Sequence, residues 1–209
     1  PVFARDTSTK VDWRWEDAGQ DIDPIPTDPV TGRPTYDKKK GTFIWANDVR
    51  PKLLWFNGMY EKALINANDT FPGAGPAVLA MPVGDWTDAG SMIYPFKEMT
   101  GNQPADTDDD QILVPHLFGM AGGPNPYWVS YDWDAALDDA DLVTNQGYSG
   151  NFYFKDTVMY LSVNHEVAPA EQAWGMGGNC GDCHLGGQID WVALGWTDDP
   201  TDGGTRPIP

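Results

Sequence analysis

Cys180 and Cys183 are the only cysteines in this 209-residue chain, and His184 follows the second directly, in "GGNCGDCHLGG". Two thiols and an imidazole at this spacing admit four chemistries. A thioredoxin-like redox pair sits at a strand-to-helix junction of a βαβ pattern, and no such pattern surrounds these residues. A structural zinc site takes four ligands, normally from two paired clusters, and the chain holds one pair. A disulfide between the two would close a very small loop. The fourth chemistry is attachment of c-type haem, for which C-x-x-C-H is the signature. Two thiols add across the two vinyl groups at one porphyrin edge. One helical turn then carries the histidine beneath the ring, because positions three and four apart share a helix face. The spacing favours haem over the disulfide or redox pair, and predicts one covalently bound haem c with His184 as proximal iron ligand.

Iron in haem has a second axial position. The remaining histidines are His116, in "ILVPHLFG", and His165, in "MYLSVNHEVAPAEQAW". Val158, Leu161 and His165 fall at i, i+3 and i+7, which predicts a helix ending near His165. Pro169 would open a short second helix, "PAEQAW", leading into the haem segment. Pro115 imposes extended or turn backbone just before His116. An isolated histidine on an apolar face is more often a core residue than a ligand, but a nearby haem shifts that balance. Both are therefore candidate ligands. Methionine is the runner-up: Met176 is too near Cys180 to reach the opposite ring face, while Met59, Met92 and Met120 stay open. Three histidines exceed the two that one haem takes, so the third is either unused or reaches a haem on another chain, and the surplus is the sequence hint of a partner.

The net charge is −18. A phosphate-binding surface needs clustered Lys and Arg, so nucleic acid is excluded as a partner. The acidity reads first as a solvated surface and second as a docking face for a basic partner. No apolar run approaches the roughly 20 residues of a membrane helix, and no signal peptide is visible. The chain starts at Pro1, which reads as a processed form or a fragment. Covalent haem attachment takes place outside the cytoplasm, so a periplasmic or extracellular location is expected.

Ten tryptophans accompany 23 glycines and 18 prolines. That mixture predicts a mainly irregular α+β fold with low regular secondary structure. Short helices would surround the haem, and short strands would lie in the N-terminal half. Residues 1–40 read as an extended arm anchored by Trp13 and Trp15, and residues 41–209 as a single haem-binding domain. Strands are expected around Phe43–Trp45 and Leu53–Phe56, joined by a turn at Arg50–Pro51, and coil over 72–127. "SYDWDAALDDADLV" predicts a helix capped by Ser130 or Asp132, and "DWVALG" another, stopped by Gly195. Asp106, Asp108, Asp109 and Asp110 invite a calcium reading. They lack the glycine and distal glutamate of an EF-hand loop, so a solvated acidic turn is the preferred reading.

The ordered blocks "GTFIWANDVRP", "WFNG", "IYPFK", "LVPHLFG", "DWDAAL", "MYLSVNHEVAPAEQAW", "CGDCH" and "DWVALGWTDDP" resemble the C-terminal part of the octahaem c-type cytochromes of the tetrathionate reductase family. The resemblance runs over residues 41–200. It implies that His184 serves the last haem, and that His116 and His165 stand where that family places distal ligands. In such proteins closely packed haems carry electrons to a catalytic haem. Here one attachment sequence stands in place of eight, so tetrathionate reduction is not carried over. The resemblance implies electron transfer through a single bis-histidine haem, either in a subunit or fragment of a split multihaem assembly or in a relative reduced to one haem that stacks with other cytochromes. The alternative is a subunit feeding electrons to a reductase of sulfur or nitrogen oxyanions. Other c-type haem proteins, sharing axial histidines, are the implied partners, with a homo-oligomer as a further arrangement.

Overall fold

The computed structural model describes residues 8–47, 49–63, 69–119, 123–164, 184 and 189–205. Its strands are β1 (Thr9–Arg14), β2 (Tyr36–Asp37), β3 (Gly41–Ala46), β4 (Lys52–Phe56), β5 (Tyr60–Lys62), β6 (Ala77–Pro82), β7 (Met92–Asp106) and β8 (Phe152–Ser162). Two helices, α1 (Tyr127–Ser130) and α2 (Trp133–Thr144), lie between β7 and β8. The strands form one sheet in the order β2-β3-β1-β7-β8-β6-β5, with β4 paired to β7 beside this path. The sheet is mixed: β1 pairs antiparallel with β3 and parallel with β7, and β6 pairs parallel with β8.

The expected fold class is thereby corrected. Among the described residues the chain is mostly strand, with two α-helices, and is not an irregular α+β chain of short helices around a haem. Coil over 72–127 also fails, because that stretch contains β6 and the 15-residue β7. Pro95, Gly101 and Pro104 made β7 look broken. Each in fact suits its place. Pro95 offers no N–H, but its carbonyl accepts from the Val163 amide at 3.1 Å. The Pro104 carbonyl likewise accepts from Leu113 at 2.9 Å. At Gly101, where β1 runs alongside, a Cβ would run into the Trp13 carbonyl oxygen, so only glycine lets the two backbones approach.

The helix expected over Val158–His165 is corrected in its described part. Residues Phe152–Ser162 are strand β8, paired with β6 at Ala77↔Thr157 and Val78↔Val158. The spacing of Val158 and Leu161 is a coincidence within a run of aromatic and β-branched residues, which favour a pleated surface. The strands at Phe43–Trp45 and Leu53–Phe56 are present as β3 and β4. They do not pair with each other: β3 lies between β2 and β1, and β4 against β7. Helix α2 matches its expectation, with the Asp132 carboxylate accepting from the Ala135 amide at 3.1 Å as N-cap. "DWVALG" forms hydrogen-bonded turns rather than a helix, ending at Gly195 with φ +89°.

The chain divides into two compact units. The first takes in the described residues of Pro1–Val49, Lys62–Ala80 and Met99–Met159. Trp13 stacks on Trp15, Trp15 meets Trp133, and Trp133 stacks on Tyr127 at 3.7 Å. A second cluster of Ala77, Ala105 and Ile112 is packed by Phe71, Leu79 and Tyr153. The second unit takes in Arg50–Glu61, Met81–Glu98 and the described residues of Tyr160–Pro209. Its core is an aromatic cluster of Phe56, Tyr60, Tyr94 and Phe96.

Candidate functional site

His184 has helical backbone. Its Nδ1 lies 2.7 Å from Asp199 Oδ1. The imidazole stacks on Trp191, with ring centres 4.9 Å apart and planes 7° from parallel. Trp196 meets Trp191 edge-on at 6.1 Å. Asp199 is buried and opens a short 3-10 turn, Pro200–Asp202, by accepting from the Thr201 amide and hydroxyl, each at 2.7 Å. Burial pushes the Asp199 carboxyl up, but the Thr201 hydroxyl, the Thr201 amide and His184 outweigh it, leaving the group below its ordinary value. An ionised carboxylate only accepts. His184 Nδ1 therefore carries the hydrogen of this bond, and in the neutral imidazole Nε2 is the nitrogen with the lone pair.

His116 is pinned through its backbone. Its N–H donates to the Ala136 carbonyl at 3.0 Å, and its own carbonyl accepts from the Tyr127 amide at 2.8 Å. The side chain is only 8% exposed, and neither ring nitrogen has a hydrogen-bond partner among the described residues. Nδ1 faces Asp139 Oδ2 at 3.6 Å, beyond hydrogen-bonding distance. Asp139 is itself buried, and accepts from the Asn125 amide at 2.5 Å and from the Asn125 side chain at 3.4 Å. A buried imidazole with idle nitrogens costs desolvation free energy unless something takes the lone pair.

Both histidines thus turn Nδ1 toward a carboxylate, and among the described residues neither Nε2 has a hydrogen-bond partner. A metal-ligating histidine is held in this way by its outer partners, and a haem iron takes such an imidazole axially. The donor set fits haem. His116 belongs to the first unit and His184 to the second. Cys180, Cys183 and His165 lie outside the described residues. Neither aspartate had been singled out from sequence. Asp139 carried a signal, since it shares the buried side of α2 with Ala136, Leu137 and Ala140, where a charge needs a reason. Asp199 stood in "TDDP", where an aspartate before proline reads as a cap and nothing more.

The acidic run 106–110 is not a solvated turn throughout. Asp106 is buried and accepts from the Asp108 amide at 2.8 Å and the Ser149 amide at 2.7 Å. Asp110 accepts from the Tyr153 hydroxyl at 2.6 Å. These carboxylates hold loops together, and among the described residues no three metal-ligating side chains converge.

Beside His116, burial drives the Tyr127 phenol up to about 12, with Tyr36 and Tyr131 adding to the effect. In the unfolded chain a phenol titrates near about 10. Between the two only the unfolded state gives up its proton, so stability falls as pH rises through that window. The contribution is whole below about pH 10 and gone above about pH 12. Tyr127→Phe is expected to shrink the loss of urea stability between about pH 9 and about pH 12. An unchanged loss would mean that this phenol is not the one held neutral.

A family model described as bacterial cytochrome c matches residues 10–187. The octaheme cytochrome c from Shewanella oneidensis matches in structure with a TM-score of 0.79 and 37% identity, over 97% of this chain and 45% of that one. The chain thus spans less than half the length of that protein. No curated protein matches.

Proposed function

The chain belongs to the bacterial cytochrome c family, and from that membership we propose that it transfers electrons through a single covalent haem c, bound by Cys180 and Cys183 and ligated by His184. The observation that carries this is the His184 ring. Its Nδ1 lies 2.7 Å from Asp199, which leaves Nε2 as the nitrogen that would meet a metal, one residue after the thiol pair. Bound haem supplies one-electron chemistry, its iron alternating between ferric and ferrous states. Asp199 fixes the tautomer and azimuth of the imidazole, and Trp191 shields one face of the ring from water. His116 and His165 are the distal ligands of this reading, with one of them serving a haem on another chain. The idle nitrogens of His116 support that assignment. A second axial histidine closes the iron to substrate, which favours electron transfer over catalysis at this centre.

The partners of this reading are other c-type haem proteins or multihaem chains. Similarity to a protein with eight haems supports a place in such an assembly. The second reading, a subunit feeding a reductase of sulfur or nitrogen oxyanions, draws on the same similarity. Covalent haem attachment implies export to the periplasm or cell exterior. Among the described residues no helix is long and apolar enough to cross a membrane.

Purified protein, assayed by pyridine haemochrome after acid denaturation, is expected to carry one covalent haem per chain. Its spectrum should be low-spin and unchanged by carbon monoxide. No covalent haem would refute the proposal. A high-spin spectrum that responds to carbon monoxide would transfer support to the reductase reading.

A further inference from the structure

We infer that Asp199 is a positioning residue that sets the haem's reduction equilibrium, holding it toward ferric iron through its bond to His184. The inference rests on the reading of His184 as proximal ligand. Asp199 and Asp139 face their histidines unequally. Asp199 Oδ1 stands 2.7 Å from the His184 Nδ1, whereas Asp139 Oδ2 stands 3.6 Å from the His116 Nδ1 and is engaged by Asn125. Only the first pair is a charge-assisted hydrogen bond. An Nδ1–H that donates to a carboxylate gives the imidazole more anionic character and makes Nε2 a stronger donor. Ferric iron carries one more positive charge than ferrous and gains more from that donor. Trp191, parallel to the ring, holds the imidazole in the plane that keeps the bond aligned.

A plain capping role for Asp199 is the competing explanation, since Oδ1 also receives the Thr201 amide and hydroxyl. Substitutions separate the two. Asp199→Asn keeps a carbonyl oxygen for the Thr201 cap and removes the charge. The haem-loaded variant is expected to stay low-spin and to shift its ferric–ferrous equilibrium at least tenfold toward ferrous, about 59 mV upward for one electron. Its ferric electron paramagnetic resonance g values should shift with it. Thr201→Val removes the hydroxyl that competes for Oδ1 and leaves the amide cap. It is expected to move the equilibrium the opposite way, by a smaller factor. Asp202→Asn makes the same charge change on the same turn, at an exposed residue with no bond to His184, and should shift the equilibrium less than about threefold, or about 28 mV.

Haem-loaded Asp199→Asn with the wild-type equilibrium and g values would overturn the inference. So would an Asp202→Asn shift as large as that of Asp199→Asn, or a Thr201→Val shift that is absent or in the same direction. Where Asp199→Asn fails to load haem, the sign of the Thr201→Val shift decides. Wild-type protein without covalent haem would overturn the function itself, and this inference with it.

Discussion

Replacing Cys180 and Cys183 together by alanine is expected to abolish covalent haem entirely. After denaturing electrophoresis the wild-type band stains for haem and the variant band does not. These are the only two cysteines in the chain, so no other thiol can form a thioether to the vinyl groups. Haem held only by axial nitrogens departs when the fold is lost, because coordination requires the folded arrangement whereas a thioether does not. A single substitution leaves one thioether, so a weakened haem stain in either single variant and none in the double is the full expected pattern. Haem staining that persists in the double variant would show that the thiols are not the tether.

Phe96→Ala is expected to cost about 3–5 kcal/mol, the range for removing a large aromatic ring from a packed core. For a chain of this size that lowers the thermal midpoint by roughly 6–20 °C. Phe96 has no exposed surface. It packs edge-on against Phe56 at 5.3 Å and Tyr60 at 6.1 Å, and meets Tyr94 at 5.7 Å. Such edge-to-face pairs add to the stabilisation from burial alone. Phe96 also stands opposite Lys52 in the register of β4 on β7, so the loss undermines the strand pair that carries the cluster. Phe96→Leu keeps most of the volume and should cost less than half as much. A midpoint for Phe96→Ala within about 2 °C of wild type would mean that the cluster does not hold this unit together.

Asp139 and Asp199 show how much of the candidate site was legible before the fold was known. The thiol pair and His184 could be named as candidates directly, because covalent haem attachment is a matter of residue type at fixed spacing. His116 could be named as a candidate, but its idle nitrogens appear only once α1 and α2 enclose it. The two carboxylates could not be assigned, because a hydrogen bond to an imidazole is defined by position in space. Asp199 lies 15 residues beyond His184, and a loop of that length permits many other partners.

Strands β7 and β8 carry the same lesson for the fold. Proline and glycine ordinarily break strands, yet in β7 the one supplies a carbonyl where no donor is needed and the other gives room for a neighbouring backbone. In β8 a chance helical spacing outweighed a composition rich in aromatic and β-branched residues. Helix α2, by contrast, was legible with Asp132 as one of two candidate caps, because the Asp132 bond to Ala135 spans three residues and depends on nothing distant.

The amino-acid sequence by itself determined the local helix and the candidate attachment residues, since thiols, imidazole and cap act over one turn of chain. Only the tertiary structure decided that the chain is a mixed sheet, that β1 lies between β3 and β7, and that each described histidine faces a carboxylate. Strand pairing and outer hydrogen bonds join residues far apart in sequence. Their stabilisation appears only when the whole chain has folded around them.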